Sequence, residues 1–213
     1  MTPGVLQGRV AIVTGASRGI GAAIARRFAA EGARVALVAR TAEPGGPLAG
    51  SLSETIAAIT AAGGEAFAIQ ANLADPEDRA RIVPEAVAGF GRVDILVNNA
   101  AWSRFMPIWE AQPRQIALAF QMNLHAPQEL SQAVLPYMRE NGAGWILNIS
   151  SATADLPPPA PYDPADRKVA YNRDGHPTVY GTSKAALDRL GRVGRWNSAV
   201  RTSLSTRWHR SVP

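Results

Sequence analysis

Tyr180 and Lys184 stand four residues apart, a spacing that puts both on one face of a helix. A phenol titrates near about 10, too high for acid–base work at neutrality. An ammonium beside it favours the phenolate and lowers that value, which turns a tyrosine into a usable proton donor and acceptor. Any helix can carry such a pair, and Tyr180 taken alone reads equally as a half-buried structural tyrosine. A second group of residues has a different chemistry. The run VAIVTGASRGIG, residues 10–21, sets four apolar residues before Thr14 and Gly15, with glycines again at 19 and 21. Apolar, β-branched residues build a buried parallel strand. Glycines directly after it let the backbone turn and approach a phosphate, while the next helix points its N-terminus at the anion. The spacing is Gly15-x3-Gly19-x-Gly21 rather than the commoner G-x-G-x-x-G, and by itself it fits any tight strand-to-helix turn.

The elements that must position these groups alternate along the chain. Strands are predicted over 9–14, 34–39, 65–70, 93–97 and 145–149, and helices over 20–31, 51–62, 76–90, 113–138 and 179–190. Ser51-x-x-Glu54 is the signature of a capping box, and Asp75 before Pro76 reads as an N-cap with proline at the first helical position. The βαβαβ order predicts a doubly wound parallel α/β sheet, a Rossmann fold, with ligands at the carboxyl ends of the strands. The Pro-rich stretch 156–177 is too long for an ordinary connection and reads as a lid or a disordered loop.

Five motifs in this order resemble the short-chain dehydrogenases/reductases over most of residues 8–190. They are Thr14-Gly15-x3-Gly19-Ile20-Gly21, Asn98-Asn99-Ala100, Asn123 in MNLHAP, Ser150-Ser151 and Tyr180-x3-Lys184. The resemblance implies an oxidoreductase that moves hydride between a nicotinamide dinucleotide and a carbonyl or secondary alcohol. It implies Asn123, Ser151, Tyr180 and Lys184 as the catalytic set. Tyr180 would protonate the forming alkoxide, and Asn123 would bind a water that links Lys184 to solvent. Ser151 would hydrogen-bond the substrate oxygen as it gains charge; it is preferred over Ser150 because the second serine of the doublet has this role in the family. Cofactor contacts are implied for Gly15, Ser17, Arg18, Gly19, Ile20, Gly21, Arg40, Asn72, Leu73, Asn99 and Ala100, with Tyr180 and Lys184.

Charge decides the expected cofactor. NAD-specific members place a carboxylate at the end of strand two, where it binds the ribose hydroxyls and repels a 2′-phosphate. Here that position is Ala39, followed by Arg40, and Arg18 sits in the glycine loop. Two guanidinium groups and no acid suit a 2′-phosphate, so NADP(H) is expected over NAD(H); the alternative is that both arginines are simply solvated. Asn72 replaces the family's usual aspartate near the adenine, and Ala101 stands where glycine is common. Ser151 and Tyr180 are 29 residues apart, far more than in the family, and the insertion with Tyr162, Tyr171, Arg173 and His176 fills the difference. Trp102, Phe105, Met106 and Trp109 are expected to wall an apolar pocket or to pack against the lid. His176 has no partner cluster, so no metal site is expected.

The 213 residues suit one α/β domain: an NAD(P)-binding domain over 1–190, carrying the insertion, and an Arg-rich tail over 191–213 outside the family pattern. The absence of cysteine excludes disulfides and thiolate chemistry. No apolar stretch is long enough to span a membrane and residues 1–9 lack a signal-peptide core, so a cytoplasmic location is expected. The net charge of +5 resembles that of a nucleic-acid binder, but six arginines and no acid lie from Arg189 onward, and the other 16 basic and 17 acidic residues leave 1–188 at −1. The tail has no docking motif, so the expected partner is a small-molecule carbonyl or alcohol and not nucleic acid. Family members are commonly homodimers or homotetramers through the two long helices, here near 113–138 and 179–190.

After Leu190 the family pattern stops, and GRVGRWNSAVRTSLSTRWHRSVP has no amphipathic period. Reading each codon's third base with the next codon's first two fixes two residues, because tryptophan has a single codon: Trp196-Asn197 becomes Glu and Trp208-His209 becomes Ala. With permitted choices at the free bases, residues 195–212 read LELRGTDIAVNALAPVS, which is similar to the family's continuation. A one-base deletion near the codons for 190–194 is therefore expected. The sheet would then lack the family's last two strands, with the edge of strand five bare. A catalytically impaired nucleotide-binding remnant is the alternative to a working reductase.

Overall fold

The computed structural model describes residues 4–46, 48–155, 177–193 and 200–204. Six strands form one sheet: β1 (Val10–Thr14), β2 (Arg34–Ala39), β3 (Glu65–Gln70), β4 (Ile95–Asn98), β5 (Gly144–Asn148) and β6 (Val200–Leu204). Their order is β3-β2-β1-β4-β5-β6 and every pairing is parallel. The chain runs outward from β1 to β3, then crosses back to β4 on the other side of β1, so β1 and β4 flank the switch point at which such sheets bind ligands.

Alternation along β1 divides the core into two layers. Val10 and Ile12 join Ile82, Val83 and Ala86 of α3 (Pro76–Phe90) and Leu130, Val134 and Met138 of α5 (Ala126–Glu140). Ala11 and Val13 join Ala25 and Ala29 of α1 (Gly19–Ala30) and Leu52 and Ile59 of α2 (Leu52–Ala61). Both expected caps form: Ser51 Oγ accepts from the Glu54 N–H at 3.1 Å, and an Asp75 oxygen accepts from the Glu77 N–H at 3.0 Å. Among the described residues no helix is long and apolar enough to cross a membrane.

Three expectations need correction. The region 113–138 is not one helix but α4 (Pro113–Phe120), a π-turn (Gln121–His125) and α5. Pro127 has no N–H to give the Asn123 carbonyl, and the wider i→i+5 pattern absorbs that gap. The helix predicted over 179–190 is α6 (Thr178–Val193), three residues longer at its C-terminus. The edge of β5 is not bare, because β6 pairs with it from Gly144↔Val200 to Asn148↔Leu204. Unpaired N–H and C=O groups along a strand edge accept an extended segment, and VRTSL is short, β-prone and extended. The remaining tail residues, and the insertion 156–177 apart from Pro177, lie outside the described residues.

The end of the sheet opposite the switch point is closed by a buried carboxylate. Asp94, just before β4, accepts from the Val10 N–H at 2.9 Å, from Arg9 at 3.0 Å and from both Nε and Nη2 of Arg92 at 2.9 and 2.6 Å. Burial alone would raise its pKa, but Arg92, the Val10 amide and Arg9 together outweigh that and hold it below the ordinary carboxylate value. A depressed folded pKa stabilises the fold above the unfolded value of about 3.9 and the gain is lost as pH falls through the folded value. Asp94→Ala is expected to lower the unfolding free energy by about 3 kcal/mol at neutral pH, read from the urea midpoint. The gap between wild type and Asp94→Asn is expected to close as the pH is taken below about 4.

Candidate active site

The carboxyl ends of β1 and β4 are joined through one hydroxyl. Thr14 Oγ1 donates to the Val97 carbonyl at 3.1 Å and accepts from the Asn99 and Ala100 N–H groups at 3.0 and 3.1 Å. Asn99 returns the link: its side-chain Nδ2 donates to the Thr14 carbonyl at 2.9 Å and to that of Gly15 at 3.4 Å. Gly21 makes this packing fit, since a Cβ there would lie 2.5 Å from Asn99 Nδ2 and overlap the Gly15 carbonyl oxygen. Helix α1 begins at Gly19 with no side-chain cap, so its first N–H groups are oriented as donors for an anion.

The other expected nucleotide residues lie around this loop. Ser17 is buried, Ile20 is exposed and Arg40 is exposed at the end of β2. Arg18 donates from Nη2 to Thr41 Oγ1 and to the Gly50 carbonyl, both at 3.0 Å, and from Nε to Ser17 Oγ at 3.4 Å. Asn72 uses its own side chain to shape its turn, with Oδ1 accepting from the Ala74 N–H at 3.2 Å. Leu73 is buried, and its carbonyl accepts from Arg79 at 2.8 Å. Arg79 in turn grips Glu129 of α5 through two bonds of 2.6 and 2.9 Å, which anchors the loop after β3 to the neighbouring layer.

Across β4 lies the second half of the site. Asn123, in the π-turn, is fully buried. Its Oδ1 accepts from the Trp102 N–H at 2.8 Å, and its Nδ2 donates to the Trp102 carbonyl and to Ser183 Oγ, both at 2.9 Å. Ser183 Oγ donates to the Tyr180 carbonyl at 2.7 Å, so the π-turn, the loop after β4 and α6 are locked together. Lys184 is 2% exposed; its Nζ donates to the Ile149 carbonyl at 2.7 Å and lies 5.8 Å from the centroid of the Tyr180 ring. Burial lowers its pKa to about 8, a shift that Asp188 one turn along partly offsets.

Ser151 Oγ accepts from the Thr153 N–H at 3.2 Å and from Thr153 Oγ1 at 2.9 Å, which leaves its own proton to donate. A Cβ on Gly181 would lie 2.5 Å from the Thr153 carbonyl oxygen, so glycine is what seats the first turn of α6 on the turn that follows Ser151. Of the residues expected to wall the pocket, Phe105 packs edge-on to Tyr180 with ring centroids 5.6 Å apart, Met106 is buried, and Trp109 is 74% exposed.

A model of the short chain dehydrogenase family matches residues 9–162. The chain belongs to this family. A short chain dehydrogenase of Pseudocercospora fijiensis is 35% identical over 190 residues, 88% of this chain and 54% of the relative. An uncharacterized oxidoreductase of Mycobacterium tuberculosis is 35% identical over 189 residues, 88% of this chain and 63% of the relative. The chain therefore spans less than two thirds of the length of these curated relatives. Among solved structures, a metagenomic short-chain oxidoreductase in complex with NADP superposes with a TM-score of 0.78 at 36% identity, covering 93% of this chain and 81% of that one. A putative short-chain alcohol dehydrogenase of Sinorhizobium meliloti reaches the same TM-score, 0.78, at 32% identity, covering 93% of this chain and 71% of that one.

Against this short-chain dehydrogenase frame, the residues that sequence reasoning passed over are the connectors Thr41, Thr153 and Ser183. Ser183 had a signal, since it lies three residues after Tyr180 on the same helix face; Thr153 lies two residues after Ser151, whereas Thr41 bonds Arg18 across a separation that no local pattern reveals. Asn123→Ala removes three hydrogen bonds and leaves the Trp102 main chain unsatisfied. It is expected to cost about 2–3 kcal/mol in urea unfolding, without a change in the denaturant slope.

Proposed function

We propose that this short-chain dehydrogenase interconverts a small carbonyl compound and a secondary alcohol with NADP(H), using Tyr180 as the acid and base. The observation that carries this reading is Lys184: a lysine buried to 2% exposure, held by the Ile149 carbonyl and 5.8 Å from the Tyr180 ring. Burying an ammonium is costly, and a positive charge beside a phenol has the evident use of lowering its pKa. The residues fit a dinucleotide, because α1 begins without a side-chain cap at Gly19, where a Cβ would meet nothing within 4 Å. Gly15, Ser17, Arg18, Gly19, Ile20 and Gly21 would hold it, with Arg40, Asn72, Leu73, Asn99 and Ala100 around them and Tyr180 and Lys184 at its reactive end. Arg18 and Arg40 favour the phosphorylated form, since no acid follows β2 directly.

The nicotinamide supplies or takes up the hydride. In reduction, the free hydroxyl proton of Ser151 binds the substrate oxygen and Tyr180 Oη delivers its proton as that oxygen gains charge. Lys184 places its positive charge 5.8 Å from the Tyr180 ring, and Asn123 would hold a water that links Lys184 to solvent. Oxidation of the alcohol runs the same proton in reverse. Phe105, edge-on to Tyr180, makes the approach apolar.

Tyr180→Phe is expected to reduce turnover of an aromatic ketone at least a hundredfold while NADPH affinity stays within about twofold, measured by nucleotide fluorescence; turnover independent of Tyr180 would leave a nucleotide-binding remnant as the reading. Lys184 carries its charge below about pH 8 and loses it above, so carbonyl reduction is expected to decline as pH rises through that value. Lys184→Met should remove that limb of the profile along with most of the activity. The tail is read in the same terms: sequencing across codons 184–213 is expected to find one base missing near 190–194, and an intact frame would refute the frameshift.

A further inference from the structure

Arg18 has five N–H donors, and the structure allots them unevenly. Both hydrogens of Nη2 are taken, one by Thr41 Oγ1 and one by the Gly50 carbonyl, at 3.0 Å each. Nε makes only the long 3.4 Å bond to Ser17 Oγ. Nη1 has no partner among the described residues, and no carboxylate there pairs with Arg18. The guanidinium is therefore clamped through Nη2, with the Nη1 donors and its full charge still available.

The clamp is built by the connection between β2 and α2. Its start is fixed where the Thr41 and Ala42 carbonyls accept from the Leu52 and Ser53 N–H groups, both at 3.0 Å. Its end is pressed against the glycine loop: a Cβ on Gly50 would lie 2.7 Å from the Ser17 carbonyl oxygen and 2.8 Å from Arg18 Cβ, and Gly50 has φ +101°, a conformation side chains rarely adopt. Thr55 Oγ1 ties α2 to the same loop by donating to the Ala16 carbonyl at 3.1 Å. A long, flexible side chain is thus held in one pose by a loop that makes no other evident use of the contact.

We infer that Thr41 and Gly50 are positioning residues that hold the Arg18 guanidinium where a 2′-phosphate binds, so that the β2–α2 connection sets the discrimination between NADPH and NADH. The inference rests on the proposed dinucleotide site and adds who orients its cation. A pre-organised guanidinium loses less freedom on meeting a phosphate than a free arginine does, and the gain is confined to the phosphorylated cofactor.

The test is binding, not turnover: dissociation constants of NADPH and NADH for the full chain, from dihydronicotinamide fluorescence, in wild type, Thr41→Val, Thr41→Ser, Arg18→Ala and the Arg18→Ala/Thr41→Val double variant. Thr41→Val is expected to weaken NADPH roughly five- to tenfold and to leave NADH within about twofold, and Thr41→Ser to restore the wild-type ratio. In the Arg18→Ala background Thr41→Val should change nothing further, because its effect runs through the arginine. Equal losses for both cofactors would mean a merely structural role and overturn the inference. Additive losses would mean that Thr41 touches the phosphate itself, which overturns it equally. Wild type binding NADPH no better than NADH would instead sink the cofactor reading beneath it, a failure visible before any variant is made.

Discussion

Backbone groups at the carboxyl ends of β1 and β4 run past the last ladder bonds and need partners, and Thr14 and Asn99 answer that need for each other. A threonine hydroxyl serves one carbonyl and two amides, and an asparagine amide serves two carbonyls. Left unmade, such bonds in a buried setting cost more than they contribute when formed. Satisfying them welds the glycine loop to the loop that follows β4. The nucleotide half and the catalytic half of the site are therefore one polar network spanning the switch point of the sheet. Trp102, three residues beyond Asn99, carries that network on to Asn123, Ser183 and the main chain of Tyr180.

The same economy explains how a charged lysine is kept in the interior. Lys184 donates to the carbonyl of Ile149, a residue that follows directly on β5. Its helix is held against the turn after Ser151 because Gly181 offers no side chain to block the approach. Sheet, turn and helix thus fix the ammonium from three sides. The burial that lowers its pKa to about 8 comes from the packing of the whole fold and not from a neighbouring charge.

Much of this was legible in the chain. Val10–Thr14, Arg34–Ala39 and Glu65–Gln70 declare themselves by apolar and β-branched content or by their place in the alternation, and Ser51 and Asp75 mark their helices by cap chemistry alone. The site residues were legible as types at spacings, since Tyr180 and Lys184 need only a helix to meet on one face. What was not legible depends on long-range bonding. The π-turn around Asn123 arises because Pro127 withholds an amide, a local cause whose helix-splitting outcome is settled only by packing. Asn123 is also a fully buried strut between Trp102 and Ser183, which no local pattern announces. The pairing of β6 was missed because sequence reasoning weighed side chains, whereas the edge of β5 offers main-chain donors and acceptors.

That edge has a consequence for how the molecule can vary. A parallel ladder recognises an extended main chain and asks little of the residues that carry it. The strands that hold the chemistry, β1, β4 and β5, each have neighbours on both sides. The outermost strand, β6, joins the sheet through its parallel ladder with β5. Sequence drift at the rim is thereby decoupled from sequence constraint at the centre: the border of the sheet can be rewritten while the interior keeps its text.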